Sequence, residues 1–172
     1  MRLGIKARIG IRALFDLAFH GAGRQVQVRE IAARQQVPER ALAEVLQDLR
    51  KAGLVQAQRG PRGGYLLARP PATITVAAIL EATGEQVEAL RAFDDGQLPR
   101  RGRPARTAGA VVRPAATNAR GAAVPDIPAQ VWADVAARAL AALRTATLAE
   151  FVARAEATGL RRTGEDPLMY FI

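Results

Sequence analysis

Arg59-Gly60-Pro61-Arg62-Gly63-Gly64-Tyr65 sets two guanidinium groups among three glycines, between the short apolar runs Leu54-Val55 and Tyr65-Leu66-Leu67. Each run has the length of a strand, and the Gly/Pro cluster between them reads as a hairpin turn. Glycines lacking Cβ let backbone amides approach another surface closely. Arginines at a hairpin tip suit phosphates or a narrow, electronegative groove. An ordinary surface turn with solvated charges has the same composition, so the elements around it decide the reading.

Other chemistries are excluded by residue type. The chain has no cysteine and no serine, and His20 is its only histidine. Ser–His and Cys–His catalysis each need an activating base beside the nucleophile, so neither fits within one chain. Without thiols there is no disulfide, no thiol redox chemistry and no thiolate metal site, which excludes a cysteine-ligated [2Fe–2S] cluster. Zinc would fall to His20 and carboxylates, a poor donor set. No catalytic residue, metal ligand or cofactor is identified, and the chain reads as a non-enzyme. No apolar run reaches membrane-spanning length, and Met1-Arg2-Leu3-Gly4-Ile5-Lys6 lacks a signal-peptide core, so a cytoplasmic location and no membrane partner are expected.

The +9 charge is uneven: residues 1–70 carry 13 basic and 5 acidic side chains, whereas residues 128–172 balance at 5 of each. A basic N-terminal unit joined to a neutral C-terminal one points to a polyanion-binding module.

The elements that must position the hairpin are helices. Ile5, Ile9, Ala13, Leu14, Leu17 and Ala18 form an apolar stripe widened by Phe15 and Phe19, predicting a helix from Ile5 to His20. Lys6, Arg8, Arg12 and Asp16 fall off this stripe, and Gly21-Ala22-Gly23 ends it. A short helix is expected from Val28 to Gln35. A third opens with Pro38 at its first position and runs to about Ala52, burying Leu42, Val45, Leu46 and Leu49 before Gly53 stops it. Helix, helix, turn, helix and basic hairpin is the order of a winged helix-turn-helix, whose third helix enters the major groove of DNA. Thr75 is placed to cap a further helix from Val76 to about Thr83.

Residues 91–127 hold seven arginines with many alanines, glycines and prolines, too few large apolar groups to offset ordering, and read as a linker. A solvated tether and a nucleic-acid-binding arm are both compatible with it. From Ala129 to about Arg144 a helix resumes, with Val131, Trp132, Val135, Ala139, Leu140 and Leu143 on one side, and Thr147-Leu148-Ala149-Glu150 forms a capping box for a last short helix. Such an apolar helix needs a surface to bury against, and pairing in a homodimer is the expected one. Folding back on its own domain is the alternative. The fold class is therefore mainly α with a small β-hairpin, a winged helix-turn-helix domain plus a long C-terminal dimerisation helix. Its parts are a DNA-binding domain at 1–85, a flexible linker at 86–128, the dimerisation and short capped helices at 129–158, and a tail at 159–172 that docks on a subunit or recognises another protein.

These residues resemble the Rrf-two-type family of bacterial winged-helix regulators. The likeness lies in Met1-Arg2-Leu3 with Lys6 and Arg8, Ala13-Leu14 with Asp16-Leu17-Ala18, Ile31-Ala32, Arg34-Gln35, Leu49-Arg50-Lys51-Ala52-Gly53-Leu54-Val55, and above all the run from Arg59 to Ala68. Val131-Trp132 and Thr147-Leu148-Ala149 extend it more thinly. The resemblance implies a homodimer whose C-terminal helices pair and hold two winged helices over a partly palindromic site on double-stranded DNA, commonly as a repressor. Cluster-binding members carry three cysteines in the loop before the dimer helix, and the corresponding residues 91–127 here have none. Arg62 replaces a usual glycine, Ala41 an aromatic, and Gln27 stands where Ser or Thr would cap better.

Roles follow for single residues. Lys6, Arg8 and Lys51 are expected to neutralise phosphates, and Val28, which opens the second helix, is counted among the DNA-binding residues. Glu39, Arg40 and Glu44 can reach base edges, Arg reading guanine and Glu the cytosine amino group, although Arg40 and Glu44 can instead bridge each other at i, i+4. Arg59 and Arg62 are expected at the minor groove, helped by close approach of Gly63 and Gly64. A protein-docking module that has lost specific DNA binding is the competing reading.

Overall fold

The structure is a computed structural model that describes residues 3–58, 60, 63–87 and 127–162, leaving aside the side chains of residues 128 and 129. Two compact units hold these residues. One contains residues 3–87 and 141–162, and the other residues 127–140.

In the larger unit α1 (Ile5–Asp16), α2 (Val28–Gln35) and α3 (Glu39–Lys51) precede an antiparallel pair, β1 (Val55–Gln58) and β2 (Gly64–Leu67). The expected mainly α fold with one hairpin is what the described residues form. The strands run in register from Val55 opposite Leu67 to Gln58 opposite Gly64. α4 (Val76–Ala82) follows, capped by the Thr75 hydroxyl oxygen, which accepts from the Ala78 amide at 3.2 Å. α5 (Ile127–Thr145) and α6 (Leu148–Ala157) complete the order.

The core gathers Ala13, Leu14 and Leu17 from the first helix, Ile31 from α2, Leu42, Val45, Leu46 and Leu49 from α3, and Ile74 and Ile79 around α4. Leu148 at the start of α6 joins it and is fully buried. Its amide donates to the Ile74 carbonyl at 2.8 Å, the Val76 amide donates to the Ala146 carbonyl at 2.9 Å, and Thr75 and Thr147 pair as an antiparallel bridge. The capping box read at Thr147 is present, its amide donating to Glu150 Oε1 at 3.1 Å.

Three local expectations are corrected. The first helix does not run as α-helix to His20: Leu17–Gly21 form a π-helical turn. Leu17, Ala18, Phe19 and Gly21 are all buried, more of one turn than a single amphipathic face covers, and the wider turn accommodates this. Ala22 at φ 47 and Gly23 at φ 85 then reverse the chain. Pro38 lies one residue before α3, at φ −62 and ψ 130, so its ring fixes the entry to the helix rather than its first turn. Ile5, counted in the apolar stripe, is exposed, whereas Asp16, placed off it, is fully buried. At the N-terminus of α1 the Gly4 amide donates to Glu85 Oε1 at 2.8 Å, setting a carboxylate at the positive end of the helix.

Candidate nucleic-acid interface

α3 buries Leu42, Val45, Leu46 and Leu49 and turns Glu39, Arg40, Glu44, Gln47, Arg50 and Lys51 to solvent. Arg40 and Glu44 do bridge, with Nε and Oε1 3.9 Å apart, but both stay well exposed. An exposed pair of this kind contributes little to stability, so both groups are available to a partner. Lys6 and Lys51 lie on different helices and are brought together: Lys6 Nζ is 3.2 Å from Asp48 Oδ2 and Lys51 Nζ 3.4 Å from Asp48 Oδ1. The hydrogen bond from Lys6 first, with the charge of Lys6 and the bond and charge of Lys51, holds the Asp48 carboxyl below its ordinary range. Arg8 is exposed and lines a shallow cleft of about 180 Å³ with Ile5, Arg12, Val37 and Pro38, beside the start of α3.

Val28 is half-buried against the core and also edges an open groove of about 540 Å³ between α2, the end of α3 and the hairpin. Gln27, Arg29, Arg50, Gly63, Gly64 and Tyr65 share its lining. Arg29 and Arg50 face no carboxylate within salt-bridge distance among the described residues, which leaves them to attract an anion. Sequence reasoning passed over both, because nothing in their spacing separates them from solvated helix arginines.

In the hairpin, one glycine has a contact within the chain. A Cβ on Gly64 would lie 2.5 Å from the Val26 carbonyl oxygen and 2.8 Å from its carbonyl carbon. Val26 and Tyr65 exchange two backbone hydrogen bonds of 2.9 Å, forming a bridge beside β2. The close approach that requires glycine at 64 is therefore to the chain itself. Gly63 donates to the Gly60 carbonyl at 2.8 Å, closing the turn, and Gly60 has a φ of 125 that favours glycine. Arg59 and Arg62 lie outside the described residues.

Asp16 accepts from Arg34 Nε at 3.0 Å, Arg34 Nη2 at 2.7 Å and Gln35 Nε2 at 3.1 Å, tying α1 to α2. The hydrogen bond to Asp16 raises the Arg34 pKa above its ordinary value. The sequence shows these three residues without showing that they meet.

The helix expected to pair is divided. Ile127, Val131, Trp132 and Val135 are large exposed apolar groups at helical spacing, and Ala139 is exposed with them. Leu140 and Ala136 lie on the neighbouring face and are buried, and Leu143 is half-buried, so the six positions do not share one exposed side.

The family model described as Rrf2, an iron-dependent transcriptional regulator, matches residues 3–154. The chain belongs to the Rrf2 family. Among curated relatives, the HTH-type transcriptional regulator IscR of Yersinia enterocolitica is 40% identical over 91 residues, 53% of this chain and 56% of that protein. A Synechocystis protein named for the same HTH-type regulator class is 40% identical over 97 residues, 56% of this chain and 66% of its own length. The matched region thus spans less than two thirds of these relatives. In fold, the chain is similar to T. potens IscR, at 27% identity and a TM-score of 0.63 over 94% of this chain and 93% of that one. It is similar also to CymR, the global cysteine regulator of B. subtilis, at 21% identity and a TM-score of 0.63 over 90% and 98%.

Iron held as a cysteine-ligated iron–sulfur cluster does not fit this chain's donors. Iron–sulfur clusters are held by thiolates, which supply charge and softness, and the sequence has no cysteine. Among the described residues no group of three or more His, Asp or Glu could hold a metal ion. No helix among them is long and apolar enough to cross a membrane.

Proposed function

We propose that this chain is a sequence-specific DNA-binding transcriptional regulator of the bacterial cytoplasm, acting as a homodimeric repressor without a cysteine-ligated iron–sulfur cluster. The observation that carries the proposal is the solvent-facing stripe of α3, with Arg40 and Glu44 exposed in its first half and the Lys6–Lys51 cluster and the arginine-lined groove at its C-terminal end. A helix presenting an Arg and a Glu with cations at its far end suits a G·C step in the major groove beside backbone phosphates. Glu39 extends the base-reading stripe. Lys6, Arg8, Lys51 and the amide end of α2 at Val28 serve the backbone. Arg59 and Arg62 serve the minor groove. The exposed apolar stripe of Val131, Trp132 and Val135 supplies the surface by which two copies pair.

Selection of bound sequences from random duplexes tests this directly. The expected result is a motif with two half-sites related by a dyad. Arg40→Ala should relax preference at one base pair per half-site, a loss of about 1–3 kcal/mol of discrimination, and Arg59→Ala should remove most of the affinity. Unselective binding that varies only with salt would overturn sequence-specific regulation.

A further inference from the structure

We propose that Asp48 sets the strength of this chain's sequence-independent hold on DNA, by competing with backbone phosphates for Lys6 and Lys51. The inference rests on the DNA-binding reading of α3. Lys6 comes from the first turn of α1 and Lys51 from the last turn of α3, 45 positions apart in sequence. Each ammonium engages its own oxygen of one carboxylate, so Asp48 occupies the place that two phosphate oxygens would take. The side chains of Lys6 and Lys51 are 56% and 77% exposed and that of Asp48 29%, which puts all three charges where a duplex backbone can meet them. The cluster carries one net positive charge instead of two.

Affinity for a polyanion grows with the number of phosphates neutralised and counterions released. A lysine already compensated by a carboxylate adds less to that count, and the carboxylate repels any phosphate that approaches. Exposed ion pairs are weak, so the lysines need no holding in place that would offset this repulsion. Arg8, Arg29 and Arg50, with no carboxylate within salt-bridge distance among the described residues, meet no such competition. Asp48 therefore subtracts from the part of binding that every DNA sequence shares.

The test titrates the full-length wild type and Asp48→Asn with a random-sequence duplex across salt from about 50 to 200 mM. Asparagine keeps the shape and removes the charge. The variant is expected to bind roughly three- to ten-fold tighter at the low-salt end, with a log–log salt slope steeper by up to about 0.9 for each lysine released. The same gain should appear on the selected operator and vanish when Lys6→Met and Lys51→Met are added. Equal or weaker binding by Asp48→Asn would overturn the proposal, because the carboxylate would then be serving the lysines. A second comparison leaves Asp48 in place: Lys51→Met should cost less affinity than Arg50→Ala, and the reverse order also overturns it. A wild type that binds neither duplex would sink the DNA-binding reading itself, and this inference with it.

Discussion

Asp16 is the charge on which the helical scaffold turns. It is fully buried, and its three hydrogen bonds to Arg34 and Gln35 join α1 to α2. A buried carboxylate is tolerated only with such partners. Asp16→Ala should therefore destabilise the fold by about 3 kcal/mol, the lower end for a buried pair because Arg34 can turn partly to solvent; urea unfolding measures it. One helical turn further on, His20 packs edge-on against Phe19, with ring centroids 4.9 Å apart. Burial lowers its pKa from the ordinary 6.5, helped by Arg34 and Arg162 and opposed by Asp16. In the unfolded chain the imidazole takes up a proton near its ordinary value, while the fold resists it to lower pH. Below about pH 6.5 the unfolded state thus binds more protons, so stability should be level above that value and fall as pH drops through it. Thermal unfolding between about pH 5 and 8 should show this decline, and His20→Phe should flatten it. The residues of this network were legible one by one in the sequence. Their meeting was not, because 18 positions separate Asp16 from Arg34 and helical spacing put Asp16 off the buried stripe.

Among the elements, the hairpin shows how a correct reading can rest on an incomplete reason. The Gly/Pro cluster between two apolar runs announced the turn, and strands β1 and β2 flank it. The glycines were read as clearance for DNA, yet Gly64 gives clearance to Val26, a residue in the loop before α2. Such pairing is invisible along the chain, since one bridge leaves no periodicity. Gly64→Ala should push β2 away from Val26 at a cost of about 1–3 kcal/mol. Hydrogen exchange gives the readout: the Val26 and Tyr65 amides, which donate to each other's carbonyls, should lose protection together, while Leu46 and Leu49 in α3 keep theirs. Unchanged exchange at Val26 would show that the bridge tolerates a methyl group. The three helices before the hairpin were legible from apolar spacing and the glycines and proline at their ends, because each buries a single face. The π-helical turn was not, since it buries nearly all of its residues at once.

For the whole molecule, the apolar stripe on α5 was legible in its existence but not in its sorting. Six positions were read as one side, and the structure exposes Val131, Trp132, Val135 and Ala139 while burying Leu140. A 3.6-residue period does not say which part of a broad apolar arc is covered within the chain. If the exposed part pairs two copies, Trp132→Asp should shift the protein from dimer to monomer in sedimentation, and operator affinity should fall as two half-sites lose their tether. Leu140→Ala should instead lower thermal stability and leave the sedimentation of folded protein unchanged. The seating of Leu148 beneath Ile74 has a different kind of consequence, one of timing. The larger unit is discontinuous in sequence, since its core is closed by a residue made long after the hairpin and α4 have left the ribosome. A nascent chain that stops within residues 88–140 has all the groups proposed to touch DNA but lacks the leucine that completes their support. The core around Ile74 is therefore complete only once residue 148 has been made.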